Sequence, residues 1–349
     1  MPLRHPIAIQ VAALMLACGC GAGDIDGPSP VEGGAGAGGA GRGNDGGGGD
    51  AGDGAGPGGE AGSGQVVPSN DPPLFDDDPS AMAEPRRCSK VDFLYVVDNS
   101  ASMVDKQENL ARSFQGFSRI VTETLGTSDH HIMVVDTDGI NAGDRLSGVD
   151  STGNGDQCGG TLGAGRRIGG EGEDCGVAGN QRYLLDDQGN LPGTFACLAK
   201  VGIFGNVGEQ PVDALLTATG AISAEVDDCN EGFVRDDAVL VVTIITDEED
   251  EYSRGDPGFW RQRLLSVKGG NEEALVVLGL IADNHIAGGL PGGPCDEFSG
   301  SPAPRLERFV RSFGLSSIGS VCAPDYSSFF AEAVSQIDTA CEDFVPVVR

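Results

Sequence analysis

The chain has 349 residues, of which 57 are glycine and only 5% are aromatic, and its formal net charge is −31. Much glycine with few aromatic residues is typical of one folded domain joined to a segment that cannot form a core. The negative charge would repel a phosphate backbone, which excludes a nucleic-acid-binding protein. A strongly acidic surface keeps a protein soluble, and an alternative interpretation is that it attracts divalent cations.

The first residues have the pattern of an export signal. An apolar run over residues 7–17 is too short for a lasting transmembrane helix, so we expect residues 1–17 to be a signal peptide. The sequence Met-Leu-Ala-Cys at residues 15–18 resembles a bacterial lipobox, which implies that Cys18 is lipidated after cleavage. An ordinary cleaved signal peptide is the alternative. A lipidated Cys18 followed by Gly19 predicts an exported protein anchored by lipid alone to the bacterial envelope, at the outer membrane or cell surface.

Residues 18–87 predict a disordered linker. They are rich in glycine, proline and aspartate, and they cannot bury enough apolar surface to offset the entropy of the chain. Fragments that match the glycine pattern of a nucleotide-binding loop occur here without a preceding strand, so we reject a nucleotide site. We expect a flexible tether between the lipid anchor and a domain over residues 88–349.

From Cys88 onward, apolar runs alternate with helical patterns. This alternation predicts an α/β fold with a doubly wound, mostly parallel sheet flanked by helices. Residues 137–200 lack strong periodicity and predict a long loop insert that local disulfides shape. In chain order we predict strand 91–97, a helix from Ser102, strand 132–135, helix 211–224, strand 238–245, a helix after Pro257, strand 274–281, helix 306–313, strand 317–321 and a final helix from Tyr326 to Cys341.

The cysteines predict disulfides. Apart from Cys18 and Cys20 the chain has an even number of widely spaced cysteines behind the export signal, and none forms a CxxC pair that would indicate zinc. Eight cysteines allow 105 pairings, so the connectivity stays open. Cys341 lies on the apolar face of the last helix and could reach Cys88 at the base of the first strand. The eight are Cys88, Cys158, Cys175, Cys197, Cys229, Cys295, Cys322 and Cys341.

Two predicted strands end in acidic and hydroxyl side chains. Asp98, Ser100 and Ser102 follow strand 91–97, and Asp247 follows strand 238–245. Because the carboxyl ends of neighbouring parallel strands meet at one edge of the sheet, these side chains could face one ion. Their oxygen atoms favour Mg²⁺, with Ca²⁺ or Mn²⁺ as alternatives, over zinc. Hydroxyl ligands leave a cation electrophilic, so it would accept a carboxylate from a partner.

Several nearby residues have plainer interpretations. Ser102 could simply cap the first helix. We expect Asp136 and Asp138, which end the second strand, to be loop residues, with a supporting role at the ion site as the alternative. Asp250 and Glu251 are interpreted as solvated charges rather than ligands.

The pattern Asp98-Asn99-Ser100-Ala101-Ser102, together with Thr246-Asp247 after a later strand, resembles the metal-ion-dependent adhesion site (MIDAS) of von Willebrand factor type A domains. The resemblance covers about residues 88–341 and implies that fold. It also implies that Asp98, Ser100 and Ser102 bind the ion and that Asp247 often acts through water. The family's threonine should lie five residues before Ala214, where this chain has Glu209. Either Glu209 replaces the hydroxyl or the site lacks that ligand, and we hypothesise that Glu209 ligates the ion.

These patterns and the resemblance predict a surface-tethered binding or adhesion module, not an enzyme, that binds a protein or glycan through a divalent ion. The alternative is a structural envelope lipoprotein with a vestigial metal site. A hydrolase is the remote alternative, since His130, His131 and His285 have no HExxH context and no serine lies in a GxSxG turn. Because catalytic triads are spatial, the sequence leaves that alternative open.

Overall fold

The computed structural model describes most of the predicted domain. The predicted signal peptide, Cys18, the linker 18–87 and Cys88 lie outside the described residues. No helix in the described part of the chain combines the length and the apolar character needed to cross a membrane. The described residues are 90–120, 129–138, 158–205, 208–222, 228–286, 289–290, 295–296 and 299–345.

The described residues form one parallel sheet with helices on both faces. Its strand order is β2-β1-β3-β4-β5, and every neighbouring pair is parallel. The prediction of a doubly wound α/β fold is therefore confirmed. The strands and α-helices are β1 Lys90–Val97, α1 Val104–Ile120, β2 Asp129–Asp136, α2 Leu191–Leu198, α3 Pro211–Ala218, β3 Val239–Thr246, α4 Pro257–Val267, β4 Leu275–Ile281, α5 Pro304–Val310, β5 Ser316–Ser320 and α6 Ser327–Asp343.

The strands are continuous apolar runs because the sheet is covered on both faces. All eight residues of β3 are buried. Alternate residues of β1 point to opposite faces, so Phe93 and Tyr95 pack with α1 and α6, while Leu94 and Val96 pack with α3, α4 and α5. The two apolar layers hold β1 and β3 rigidly at the centre of the sheet.

The chain changes direction between β1 and β3. It passes from β1 to β2 on one side, and β3, β4 and β5 then extend the sheet on the other side. In such open sheets the carboxyl ends of the strands at this switch point border a crevice. The predicted ion-binding residues follow β1 and β3, and therefore lie at that crevice.

Two helices differ from the sequence prediction. The predicted helix 211–224 ends at Ala218, because Gly220 adopts a φ of 72° and the backbone N–H of Ala221 donates to the carbonyl of Leu216 at 2.7 Å. This is a glycine C-cap of the Schellman type. Helix α2 was not predicted, and it lies inside the insert with a buried Phe195.

The disulfides only partly match the expectation for the insert. Cys175–Cys197 lies within it, whereas Cys158–Cys229 joins it to the segment before β3. Cys295–Cys322 joins the segment after β4 to the end of β5. Cys341 is buried as predicted and is disulfide-bonded, but its partner lies outside the described residues, so the Cys88–Cys341 pairing stays a prediction.

We predict that Phe195→Ala destabilises the domain by about 3–5 kcal/mol, because it empties a fully buried aromatic site. The Phe195 ring stacks on Phe114 at a centroid distance of 3.5 Å and meets Tyr95 edge-on at 4.9 Å. Urea unfolding followed by circular dichroism measures the loss. Phe204→Ala is the matched control, since Phe204 is 67% exposed and its loss should change stability by less than about 0.5 kcal/mol. Equal effects of the two substitutions would contradict the placement of α2.

Candidate metal centre

The carboxyl ends of β1 and β3 leave the sheet side by side. Val97 is paired with Ile245, and the backbone N–H of Asp98 donates to the Ile245 carbonyl at 2.9 Å. Asp98, Thr246 and Asp247 are fully buried. The register of the two strands thus brings together the acids that the sequence analysis assigned to one site.

Asp98 is a buried carboxylate, and its hydrogen-bond donors among the described residues are neutral. Its Oδ1 accepts from the backbone N–H of Ser100 at 2.6 Å, and its Oδ2 accepts from Thr246 Oγ1 at 2.6 Å. Burial raises the pKa of Asp98 to about 6, the charge of Asp247 adds to the rise, and the hydrogen bonds from Thr246 and Ser100 oppose it. Within the described residues no cationic side chain forms an ion pair with Asp98.

The two serines face the same space as the acids. Ser100 Oγ lies 3.1 Å from Ser102 Oγ, and Ser102 Oγ donates to Asp247 Oδ1 at 3.0 Å. Ser102 belongs to a 3-10 turn, Ala101–Met103, ahead of α1. Because its hydroxyl bonds to Asp247, the alternative in which Ser102 serves simply as a helix cap does not describe this structure.

Asp247 also contacts a lysine, Lys106, that the sequence analysis did not identify. Lys106 is buried, its Nζ lies 3.2 Å from Asp247 Oδ2, and it donates to the Ser102 carbonyl at 2.9 Å. Burial raises the pKa of Asp247, and the Lys106 charge opposes that rise. The sequence contained one indication of this contact, because Lys106 follows Ser102 by one helical turn.

Glu209 lies beside the site, and its burial and hydrogen bonding differ from those of an acid on the surface. It is buried, its Oε2 is hydrogen-bonded to the hydroxyl of Thr137, and its Oε1 has no hydrogen-bond partner among the described residues. Burial and then the negative charge of Asp98 raise the pKa of Glu209 to about 9. Glu209 is therefore protonated at neutral pH unless a cation approaches it.

The other candidate acids have different roles. Asp136 Oδ2 pairs with the buried Arg166 at 2.5 Å. Asp138 Oδ1 accepts from Asn99 Nδ2 at 2.9 Å, so it supports the loop between Asp98 and Ser100.

The interpretation of Asp250 as a solvated charge was wrong. It is fully buried and accepts from the backbone N–H of Val212 at 2.9 Å and of Ser253 at 2.8 Å. It therefore caps the N-terminus of α3, where orphan N–H groups and the helix dipole favour an acid. Glu251 is exposed, as predicted.

The donor set suits a hard divalent ion, because its atoms are carboxylate and hydroxyl oxygens. Glu209 Oε1 is buried without a hydrogen-bond partner among the described residues, as expected of a group that an ion would satisfy. In the described part of the chain no three His, Cys, Asp or Glu side chains are grouped closely enough to hold a metal by themselves. An ion here would therefore depend on the hydroxyls of Ser100 and Ser102 as well as on the acids.

Comparisons with known proteins give only a remote likeness. No protein-family model and no curated protein matches the chain. Two structures of proximal thread matrix protein 1 (PTMP1) from the mussel byssus are 13% identical, with TM-scores of 0.37 and 0.36, over 73% of this chain and 49% and 48% of theirs. A third PTMP1 structure, which has a zinc-occupied MIDAS motif, is 13% identical with a TM-score of 0.35 over 73% of this chain and 49% of that one. The chain spans about half the length of these structures, and so low a TM-score assigns neither a family nor an ion.

We predict that without divalent ions the stability of the protein falls, relative to Asp98→Asn, as the pH rises from about 4 to 7. The folded-state pKa of Asp98 is raised from 3.8 to about 6, so its contribution is fully present below the lower value and is lost as pH rises through the higher one. Two pKa units correspond to about 3 kcal/mol. Urea unfolding in chelator at several pH values gives the difference between the two proteins, and a difference that does not change with pH would contradict the prediction.

Proposed function

We propose that this domain binds a divalent cation, Mg²⁺ first and Ca²⁺ or Mn²⁺ as alternatives, and uses it to capture a carboxylate of a partner. Asp98, Ser100 and Ser102 hold the ion, and Asp247 assists directly or through water. The observation that carries the proposal is the state of Asp98: a fully buried carboxylate, with no cationic partner among the described residues, next to two hydroxyls that face the same space. The resemblance of these residues to the MIDAS of von Willebrand A domains supports it.

We propose that Glu209 is a further ligand of the ion. Its support is the buried Oε1 atom that has no hydrogen-bond partner among the described residues. An ion would lower the pKa of Glu209 by stabilising its ionised form, since a cation at contact distance outweighs the repulsion from Asp98. A carboxylate in place of a hydroxyl makes the ion less electrophilic, so the partner's carboxylate would be held less tightly.

The surroundings of the site favour a protein over a glycan as the partner. Val104, Phe204 and Tyr252 are 56%, 67% and 55% exposed, respectively. Val104 follows the serine turn, and Phe204 precedes Gly205, whose N–H donates to the Asn99 carbonyl at 3.0 Å. The Tyr252 ring lies 3.5 Å from where a Cβ on Gly208 would stand, beside Glu209. An apolar rim around an ion suits an acidic side chain flanked by apolar ones.

We also propose that the protein is an exported bacterial lipoprotein, anchored through Cys18 and tethered by residues 18–87. The disulfides within the described residues support it, because such bonds persist in oxidising compartments. The hydrolase alternative is not favoured by two of its candidate histidines: among the described residues, His131 Nδ1 lies 3.0 Å from the Phe233 carbonyl and His285 Nε2 lies 3.1 Å from Glu307.

We expect Mg²⁺ to bind the purified protein and to stabilise it by about 2.7 kcal/mol at an ion concentration one hundred times the dissociation constant. Isothermal titration calorimetry measures the binding, and urea unfolding with and without Mg²⁺ measures the stabilisation. Asp98→Ala should abolish both, and Glu209→Ala should weaken binding. Glu251→Ala is the control, since Glu251 is an exposed acid. A wild-type protein that no divalent ion stabilises would support the structural envelope protein with a vestigial site.

The partner is predicted to need both the ion and the apolar rim. Immobilised protein should retain an envelope protein in Mg²⁺ and release it in chelator, because the bound ion provides the contact for the partner's carboxylate. Phe204→Ala should reduce retention at least about tenfold, as expected for an aromatic residue central to an interface, and should leave Mg²⁺ affinity unchanged. Retention that survives chelator, or that a soluble glycan abolishes, would contradict this choice of partner.

A further inference from the structure

Lys106 is a buried cation in direct contact with the proposed ion site. Its side chain is 6% exposed, and its Nζ lies 3.2 Å from Asp247 Oδ2 and 3.3 Å from Asp105 Oδ1. It also donates to the Ser102 carbonyl at 2.9 Å, so it touches the same turn that presents the serine hydroxyls. A lysine is almost never this buried unless it is paired, and here the buried partner is Asp247.

The contacts of Asp247 leave little room for a second cation. Its Oδ1 accepts from Ser102 Oγ at 3.0 Å, and its Oδ2 faces the ammonium of Lys106. A divalent ion that uses Asp247, directly or through water, must share Oδ2 with the ammonium or displace it. The positive charge of Lys106 also repels the ion at short range, where electrostatic interactions are weakly screened.

We infer that Lys106 is a resident cation that competes with the divalent ion for Asp247. This inference rests on the proposed function. The ammonium neutralises Asp247 when no ion is bound, so the ion-free domain is a stable folded state. The same ammonium weakens ion binding, so occupancy of the site follows the divalent-ion concentration, and capture of a partner follows occupancy.

The inference is tested with Lys106→Gln, which removes the charge and keeps a polar side chain. Calorimetric titration with Mg²⁺ should give a dissociation constant at least about tenfold lower than that of the wild type, since a nearby repulsive charge is lost. In chelator the variant should melt at least about 3 °C lower, because Asp247 loses its only cationic partner among the described residues. Saturating Mg²⁺ should restore the melting temperature.

Two further variants test whether the effect on Mg²⁺ affinity depends on the position of the lysine and on its positive charge. Lys200→Gln removes a half-exposed lysine that pairs with Glu108 of α1 at 2.8 Å, and it should change Mg²⁺ affinity less than about twofold. Lys106→Arg keeps the charge and should bind Mg²⁺ within about threefold of the wild type, because the repulsion is retained.

The outcomes separate this inference from the proposed function. Equal Mg²⁺ affinity of the wild type and Lys106→Gln overturns the inference and leaves the proposed ion site standing. Absence of Mg²⁺, Ca²⁺ and Mn²⁺ binding by both proteins overturns both. A Lys106→Gln protein that stays unfolded even at saturating divalent ion also overturns the inference, since the ion is expected to replace the ammonium.

Discussion

The fully buried carboxylate of Asp98 is the constraint on which the arrangement of this sheet edge depends. Burying a charge without a paired cation costs free energy, and the buried acids at the two ends of β1 are stabilised in different ways. Near the start of the strand, buried Asp92 accepts from Arg235 Nε at 2.7 Å. At the other end, Asp98 accepts from the Thr246 hydroxyl and the Ser100 amide, and it has no cationic partner among the described residues. Neutral donors compensate a charge incompletely, and for this reason the proposed cation site lies at this end of the strand.

The loop after β1 is tied through Gln107 to the segment that follows the insert. Gln107 Nε2 donates to the carbonyl of Asp98 at 2.9 Å and to that of Gly202 at 2.7 Å. Gly202 has a φ of 100° and packs directly on the backbone of Gly170, where a side chain would be strained. The insert, with its own disulfide and helix α2, is thereby linked through Gly170 and Gly202 to the loop that carries Asp98. The insert therefore helps to support the site, although its sequence lacks the hydrophobic periodicity of a helix or strand.

The sequence predicts which strands form the site better than it predicts which charged side chains are buried there. Apolar runs locate β1 and β3, and the rule for neighbouring parallel strands brings Asp98 and Asp247 together. Helix α2 escaped prediction because it is only eight residues long and contains Pro192 and Gly193. The burial of Asp250 and Lys106 could not be predicted, since a charged side chain is ordinarily exposed and only its distant partners show that it is buried. Those partners, Val212 for Asp250 and Asp247 for Lys106, are set by the tertiary fold.

Glu209 and Lys106 give the site one acid and one base beyond the residues of the Asp-x-Ser-x-Ser pattern and Asp247, yet the two do not neutralise each other. Glu209 bonds to Thr137 after β2, whereas Lys106 contacts Asp247 after β3, and they form no ion pair within the described residues. The two side chains therefore lie on opposite sides of Asp98, Glu209 toward β2 and Lys106 toward β3. An ion held by Asp98 would favour the ionised form of Glu209 and would be repelled by the charge of Lys106, so the two residues would change its affinity in opposite directions.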